Sequence, residues 1–382
     1  MSRSYLDHAS TSPLRPQARD AMVDALTRLG GDPGRIHEEG MAARVALEGA
    51  REQVASLFGA RSREVVFTSG ATESIATAIW GATQRARQRS GDTDSAVHHV
   101  VTAVEHSAVR LSAAQSGSVT VVPVDGGGRV DAAAVLEAIR PDTAAVHVQW
   151  ANHEVATVQP VAEIAAGCRE AKVLLHVDAA QAAGRVAIDF SASGIDLMSV
   201  SGHKLGGPIG TGALLIRRGL RLPPLLVGGD QERARRAGLE PVAQLVGFGA
   251  ACEALSTQDR LASEAHEARR LAAQIRTILD GIEGITSYGD PDHRLAQLVC
   301  VGVEGVEPQA VLLGLDRAGI AAHSGSACSS ESLEPSPVLE AMGVDAHHSL
   351  RLSVGWNTTD DDIDRLARAL PQVIGHLRSL AR

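Results

Sequence analysis

Asp196-Leu-Met-Ser-Val-Ser-Gly-His-Lys-Leu-Gly-Gly-Pro-Ile-Gly-Thr-Gly-Ala-Leu-Leu-Ile-Arg-Arg218 is the stretch on which the fold turns. An apolar run ends at Ser199-Val200, His203 and Lys204 follow, and five glycines fall within the eleven residues 202–212. A second apolar run, Ala213 to Ile216, closes it. Apolar run, glycine-rich turn, apolar run reads as strand, tight loop, strand. A lysine set among glycines between two buried strands can carry an aldehyde cofactor on its amine. A surface lysine in a glycine-rich hairpin has the same local sequence, so the surrounding chain has to decide.

Toward the N-terminus the pattern alternates. Strands are predicted at 64–68, 99–104, 119–124, 144–150 and 173–177. Helices between them run from the turn Ser69-Gly-Ala-Thr-Glu-Ser74 to Arg87, then over 107–115, 131–139 and 161–171. Such alternation predicts an α/β fold with a mostly parallel sheet and crossover helices. Amphipathic helices at 16–29 and 41–57 precede it. From about Ala251 the pattern changes. A long helix over 263–282 leads to strand 297–303, helix 308–318, an irregular stretch 321–337, strand 350–354 and helix 360–380. This reads as a smaller α+β domain, with 13–256 as the large domain and 1–12 with 257–382 as the small one.

At 382 residues, two domains are expected. Aromatic residues are only 2% of the chain, which argues against single-stranded nucleic acid held by stacked rings. A net charge of −9 leaves no overall basic footprint, so no direct nucleic-acid binding is expected. The tightest basic cluster, Arg233, Arg235 and Arg236, also reads as a solvated loop. Cys168, Cys252, Cys300 and Cys328 lie far apart with no CxxC, so neither a zinc site nor a disulfide framework is expected. Reduced thiols in a cytoplasmic protein fit better. The N-terminus lacks an apolar signal core, and no run reaches the roughly 18 apolar residues of a membrane helix.

Several residues carry chemistry. Ser69 to Ser74 follows a strand and opens a helix, where backbone N–H groups with the Thr72 and Ser74 hydroxyls can hold a phosphate; taken alone, a plain helix cap by Thr72 or Ser69 is the commoner reading. Asp178 ends an apolar strand in His176-Val-Asp178 and would face the ligand crevice of an open sheet. There it could keep a pyridine nitrogen protonated, or cap the next turn. Phosphate cradle, pyridinium partner and amine tether together suit pyridoxal 5′-phosphate. His106, at another strand end, could stack on a cofactor ring and move protons. Arg351, in a short apolar strand, can bind a carboxylate or form an internal ion pair. Cys168, Cys252 and Cys300 sit in apolar patterns and read as packed thiols. Cys328, among Ser, Gly and Ala, is the nucleophile candidate; with an ordinary pKa of about 8.5 it needs a neighbouring base or a cofactor to act.

Taken together these residues resemble the cysteine desulfurases of the NifS/IscS type, within the class V aminotransferase family of fold-type I pyridoxal-phosphate enzymes. The motifs are Tyr5-Leu-Asp7, Thr68-Ser-Gly-Ala-Thr-Glu-Ser74, Glu105-His106, Asn152-His-Glu154, His176-Val-Asp178 with Gln181, Ser201-Gly-His-Lys204, Gly325-Ser-Ala-Cys328, Leu333-Glu-Pro-Ser336 and Leu350-Arg-Leu-Ser353. The resemblance implies a large domain built on a mostly parallel, seven-stranded sheet. It implies that Lys204 carries the cofactor, Asp178 pairs with its ring nitrogen, Gln181 with its ring hydroxyl, and His106 stacks on it. Ala71, Thr72, Ser201 and His203 would hold the phosphate. Arg351, with Asn152 and His153, would face the substrate, L-cysteine. Cys328 would take the sulfur as a persulfide, L-alanine would leave, and a protein acceptor would receive the sulfur for iron–sulfur assembly, tRNA thiolation or DNA phosphorothioation. A homodimer is implied, with active sites near the subunit interface.

The chain departs from the family pattern in places. Asn-Asn-Glu is Asn152-His153-Glu154, so His153 takes an Asn contact near cofactor and substrate. The Gly that follows is Ala156. Arg-Ser-Gly-Thr is Arg236-Ala-Gly-Leu239, and Gly-Asn-Pro is Gly31-Asp32-Pro33. Leu239 cannot give the neighbouring subunit's phosphate the hydrogen bond a Thr would. A bond to a charged group is worth about 1.5–3 kcal/mol, so weaker cofactor retention or altered substrate handling is expected. The sequence ends at Arg382, without the long tail some relatives use to dock an iron–sulfur scaffold, which puts that usual partner in doubt.

Overall fold

The computed structural model describes residues 3–92, 94–257, 259–324 and 335–380. Cys328 and the rest of 325–334 lie outside the described residues. In chain order the elements are β1 (Ser4–Tyr5), α1 (Pro16–Arg28), α2 (Glu38–Leu57), β2 (Val65–Thr68), α3 (Ala71–Ser90), β3 (His98–Thr102), α4 (Ser107–Ser116), β4 (Ser118–Val122), α5 (Ala132–Glu137), β5 (Thr143–Gln149), α6 (Val161–Ala171), β6 (Leu174–Asp178), α7 (Phe190–Ser193), β7 (Leu197–Ser201) and β8 (Gly212–Ile216). There follow α8 (Gln231–Ala234), α9 (Val242–Ser256), α10 (Arg260–Asp280), β9 (Ile285–Ser287), β10 (Leu298–Val303), α11 (Pro308–Arg317), β11 (Ile320–Ala321), α12 (Pro337–Ala341), β12 (Ser349–Ser353) and α13 (Asp360–Leu380).

Seven strands form one sheet in the order β2-β8-β7-β6-β5-β3-β4. Only β8 runs against its neighbours, pairing antiparallel with both β2 and β7. The mostly parallel seven-stranded sheet expected from the sequence is therefore present. Crossover helices cover both faces, so its central strands are apolar throughout: β7 is buried at every position and β5 at all but Thr143. The last third of the chain forms an antiparallel sheet, β12-β10-β9. A second apolar core joins β10 and β12 to α10, α11 and α13 through Leu271, Ile275, Val301, Leu315, Leu352 and Leu366. Leu6 belongs to this core and β1 pairs in parallel with β11, so the first residues of the chain pack with the last third.

The differences from the sequence reading have local causes. Helix α9 is the Ala-rich helix read around Cys252; its bounds were not legible because it is apolar on nearly every side, packed against α1 and α2, and shows no helical periodicity. Residues 320–321 form β11, which reaches one residue into the stretch read as irregular; a two-residue strand is too short for a periodic signal. Strand β9 was missed for the same reason. No helix among the described residues is long and apolar enough to cross a membrane.

Candidate active site

Because β2, β3, β5, β6 and β7 run the same way, their carboxyl ends share one edge of the sheet, where open α/β sheets bind ligands. A cavity of about 510 Å³ lies at that edge. Ala71, Thr72, His106, His153, Asp178, Gln181, Ser201, His203, Lys204 and Arg351 all line it. Asn152 does not. It is fully buried; its Nδ2 donates to the Val104 carbonyl at 3.2 Å and its Oδ1 accepts from the N–H groups of Glu154 and Val155 at 2.8 and 2.9 Å. Its side chain shapes the turn that presents His153. Cys328 is outside the described residues. Leu239 is 61% exposed and is not among the lining residues.

One wall is the start of α3. The first N–H groups of a helix have no partner within it, and they carry partial positive charge. Gly70 enters α3 at φ 153°, a conformation other residues rarely adopt. Gly212 opens β8 and is the register partner of both Thr68 and Ser201, which brings the end of β7 beside this helix start. A Cβ on Gly212 would lie 2.6 Å from the Gly70 Cα, so only glycine permits that approach. The Ser201 hydroxyl is buried without a partner among the described residues. The nearby carboxylate of Glu73 is occupied by Arg236 at 2.9 Å and by the Ser69 N–H at 2.8 Å. A helix start, an orphaned hydroxyl and a neutralised acid fit a phosphate group.

The ends of β6 and β7 form the floor. Asp178 ends β6 and accepts from the Ala180 N–H at 2.9 Å. Lys204 follows β7 in a single 3-10 turn, 203–205, stopped by Gly206 at φ 89°. Burial pushes the Lys204 amine down to about 8, while Asp178 acts against that shift. An amine at about 8 is roughly one-tenth neutral at pH 7, against far less than 1% for an ordinary lysine. The strand ends carrying Thr72, Asp178 and Lys204 are not all neighbours: antiparallel β8 separates β2 from β7. The cavity closes the gap because β8 starts at the same edge.

His106 caps α4, its Nδ1 accepting from the Ala108 N–H at 3.1 Å. Burial, then His153, lowers its pKa to about 4, so the ring is neutral at pH 7. The rings of His106 and His153 meet edge to face at 5.3 Å. Arg351, in β12, is almost fully buried. It makes both arrangements the sequence allowed, lining the cavity while its guanidinium donates to Asp7 Oδ1 at 3.0 Å, to Ser10 Oγ at 2.6 Å and to the His153 carbonyl at 2.9 Å. Its Nε is buried without a partner among the described residues.

Sequence reasoning missed some lining residues. Gln149 is the register partner of Asp178 at the end of β5, so its strand-end position was a usable signal. Ser10 and His323 also line the cavity and carry no local signal. Glu154 matters by accepting a hydrogen bond from Ser336, the N-cap of α12, which ties two of the motifs together.

Ala156, where the family pattern has Gly, is fully buried at φ 69°. A left-handed alanine costs about 1–2 kcal/mol. Ala156→Gly is therefore expected to stabilise the fold by up to about 1 kcal/mol, since the more flexible unfolded chain offsets part of the gain. Urea denaturation of the two proteins measures it; a destabilised variant would show that the turn is not strained.

The aminotransferase class-V family model matches residues 4–366. The chain is 40% identical over 390 residues to "Cysteine desulfurase IscS" of Methanosarcina thermophila, covering 99% of this chain and 93% of that one. It is 39% identical to the Homo sapiens "Cysteine desulfurase", covering 99% of this chain and 83% of the relative. Among solved structures, a NifS-like protein superposes with a TM-score of 0.89 at 28% identity, covering 98% of this chain and all (100%) of that one. SspA in complex with cysteine superposes with a TM-score of 0.80 at 30% identity, covering 92% and 99%.

Proposed function

The chain belongs to the aminotransferase class-V family, and from that premise we propose that it is a cysteine desulfurase. It uses pyridoxal 5′-phosphate to convert L-cysteine to L-alanine, with sulfur passing as a persulfide on Cys328 to a protein acceptor. The observation that carries this reading is the cavity at the sheet edge, which gathers Lys204, Asp178, the orphaned Ser201 hydroxyl, the start of α3 and Arg351. The similarity to named cysteine desulfurases over nearly the whole chain supports the substrate.

When bound, the cofactor supplies an electron sink for the pair released at the substrate α-carbon. The chain's own residues do the rest. Ala71 and Thr72 at the start of α3, with Ser201 and His203, hold the phosphate. Asp178 would keep a proton on the ring nitrogen, Gln181 would meet the ring hydroxyl, and the neutral His106 would stack on the ring. The Lys204 amine, already partly neutral, would hold the cofactor through its aldehyde and would carry a proton to and from the substrate α-carbon. Arg351 takes the substrate carboxylate, and Asp7 and Ser10 orient the guanidinium. His153 borders substrate and cofactor. Asn152, reassigned by its buried hydrogen bonds, positions His153 instead of touching substrate. Cys328 attacks the substrate sulfur.

We further place residues 13–256 in a cofactor-binding domain and 1–12 with 257–382 in a smaller one; the second apolar core supports the division. A homodimer is supported by large apolar side chains left exposed around α1, α2 and the loop after β8, including Ile36, Val45 and Val227. The three described cysteines are buried, free thiols, in keeping with a cytoplasmic location.

Cys328→Ala is expected to lower alanine release from L-cysteine by roughly two orders of magnitude, about 3 kcal/mol in barrier. Undiminished release would mean a lyase that needs no thiol nucleophile.

A further inference from the structure

His323 has no part in the roles above, yet its backbone is fixed against the substrate-binding strand. It forms an antiparallel bridge with Arg351: the Arg351 N–H donates to the His323 carbonyl at 2.7 Å, and the His323 N–H donates to the Arg351 carbonyl at 3.3 Å. Directly opposed residues in an antiparallel pair project to the same side. Both side chains line the cavity. The guanidinium is held on that side by Asp7, Ser10 and the His153 carbonyl, so the imidazole stands beside it. Burial, and then the Arg351 charge, lowers the His323 pKa, which leaves its ring neutral and able to accept a proton at pH 7.

We propose that His323 is a further catalytic residue, which takes the thiol proton of L-cysteine and returns it to Cβ. The inference rests on the desulfurase reading. With the carboxylate on Arg351, only Cα and Cβ separate it from the sulfur, a span short enough for the thiol to reach the imidazole paired beside Arg351. The bookkeeping of the step is closed. The Cys328 thiolate supplies the pair for a new S–S bond to the substrate sulfur. The Cβ–S bond breaks with its pair left on carbon. The S–H bond breaks with its pair left on sulfur, and the proton moves to the imidazole. The imidazolium then gives that proton to Cβ, completing the methyl group of alanine. Carbon is reduced, sulfur is correspondingly oxidised, and no outside oxidant is needed.

The test compares two reactions of the holoenzyme: alanine formation from L-cysteine, and exchange of the α-proton of L-alanine in heavy water. The second needs Lys204 but involves no thiol. His323→Gln is expected to slow the first by about 100-fold, the range of general acid–base catalysis, and to leave the second and the visible cofactor absorbance unchanged. His323→Asn serves as a second variant and is expected to agree. Equal losses in both reactions, or alanine formation at the wild-type rate, overturn the proposal. Wild-type protein that exchanges L-alanine but forms none from L-cysteine fails the desulfurase reading itself, and the proposal with it.

Discussion

Lys204→Ala is expected to abolish alanine formation, with a loss of roughly 10⁴-fold or more, since proton transfer alone contributes about 10²–10⁴. The same variant is expected to lose the visible absorbance of a covalently held cofactor. The expectation rests on chemistry specific to an amine. Lys204 is partly buried, its pKa is lowered to about 8, and it lies in the cavity with Asp178. Its neutral fraction can attack an aldehyde; a permanently charged group in the same place cannot. Lys204→Arg, which keeps the cation, is therefore expected to be as inactive as the alanine variant. The fold should tolerate both changes, because the local turn uses the Lys204 carbonyl, which accepts from Arg185 at 3.1 Å, and not the amine. Partial activity in the arginine variant would mean that the charge, and not the amine, is what the site uses.

The second large effect is on stability in mild acid. A ladder of buried histidines crosses the main sheet. His99 on β3, His147 on β5 and His176 on β6 are linked by hydrogen bonds of 3.0 and 3.1 Å, with Thr83 of α3 at one end and Ser199 of β7 at the other. The Thr83 hydroxyl donates to the Ile79 carbonyl, so it must accept from His99. Each ring then carries one proton, and Ser199 donates at the far end. Three neutral rings satisfy every bond; a second proton on any ring breaks one and buries a charge. Burial holds His99 at about 4, His176 at about 3 and His147 well below the usual value.

The sign follows directly. Unfolded histidines titrate near 6.5, so below that pH the unfolded chain binds more protons than the folded one, and stability falls as the pH drops toward 4. Between pH 7 and 5 each ladder histidine costs about 2 kcal/mol. Glu105 works the other way. Burial raises its pKa to about 8, so it is protonated in the fold and ionised in the unfolded chain, and it returns about 2–3 kcal/mol over the same interval. The net loss expected is about 3 kcal/mol or more. Urea denaturation at the two pH values measures it. His147→Gln is expected to be less stable at pH 7 and to show a shallower pH dependence, with about one proton fewer taken up on unfolding. Equal stability at pH 7 and 5 would show that the ladder is not neutral.

The strand ends were legible because apolar runs stop abruptly at Thr68, Asp178 and Ser201, where small or polar residues begin. That places Thr72, His106, Asp178 and Lys204 on one edge from the sequence alone. Arg351 was legible as a lone charge in an apolar strand, but its partner was not: Asp7 is 344 residues away in sequence and reaches it only because β1 packs with the last third of the chain. Asn152 was expected at the substrate because the family resemblance implied it; a polar residue beside a strand end can instead serve its own turn, and the buried Val104 carbonyl decides for the turn. The ladder was hidden for a related reason. His99, His147 and His176 each read as one polar residue in an apolar strand; only the sheet register makes His147 and His176 partners and sets His99, opposite Ala145, two residues away on the same face. His323 depends in the same way on its pairing with Arg351.

The central claim, sulfur transfer through Cys328, is tested most directly by intact-protein mass measurement after one turnover of the holoenzyme with L-cysteine. The account predicts one added sulfur atom on Cys328, removable by a thiol reductant, with one L-alanine released per site. Alanine and free sulfide released together, with Cys328 unmodified at every time point, would contradict it.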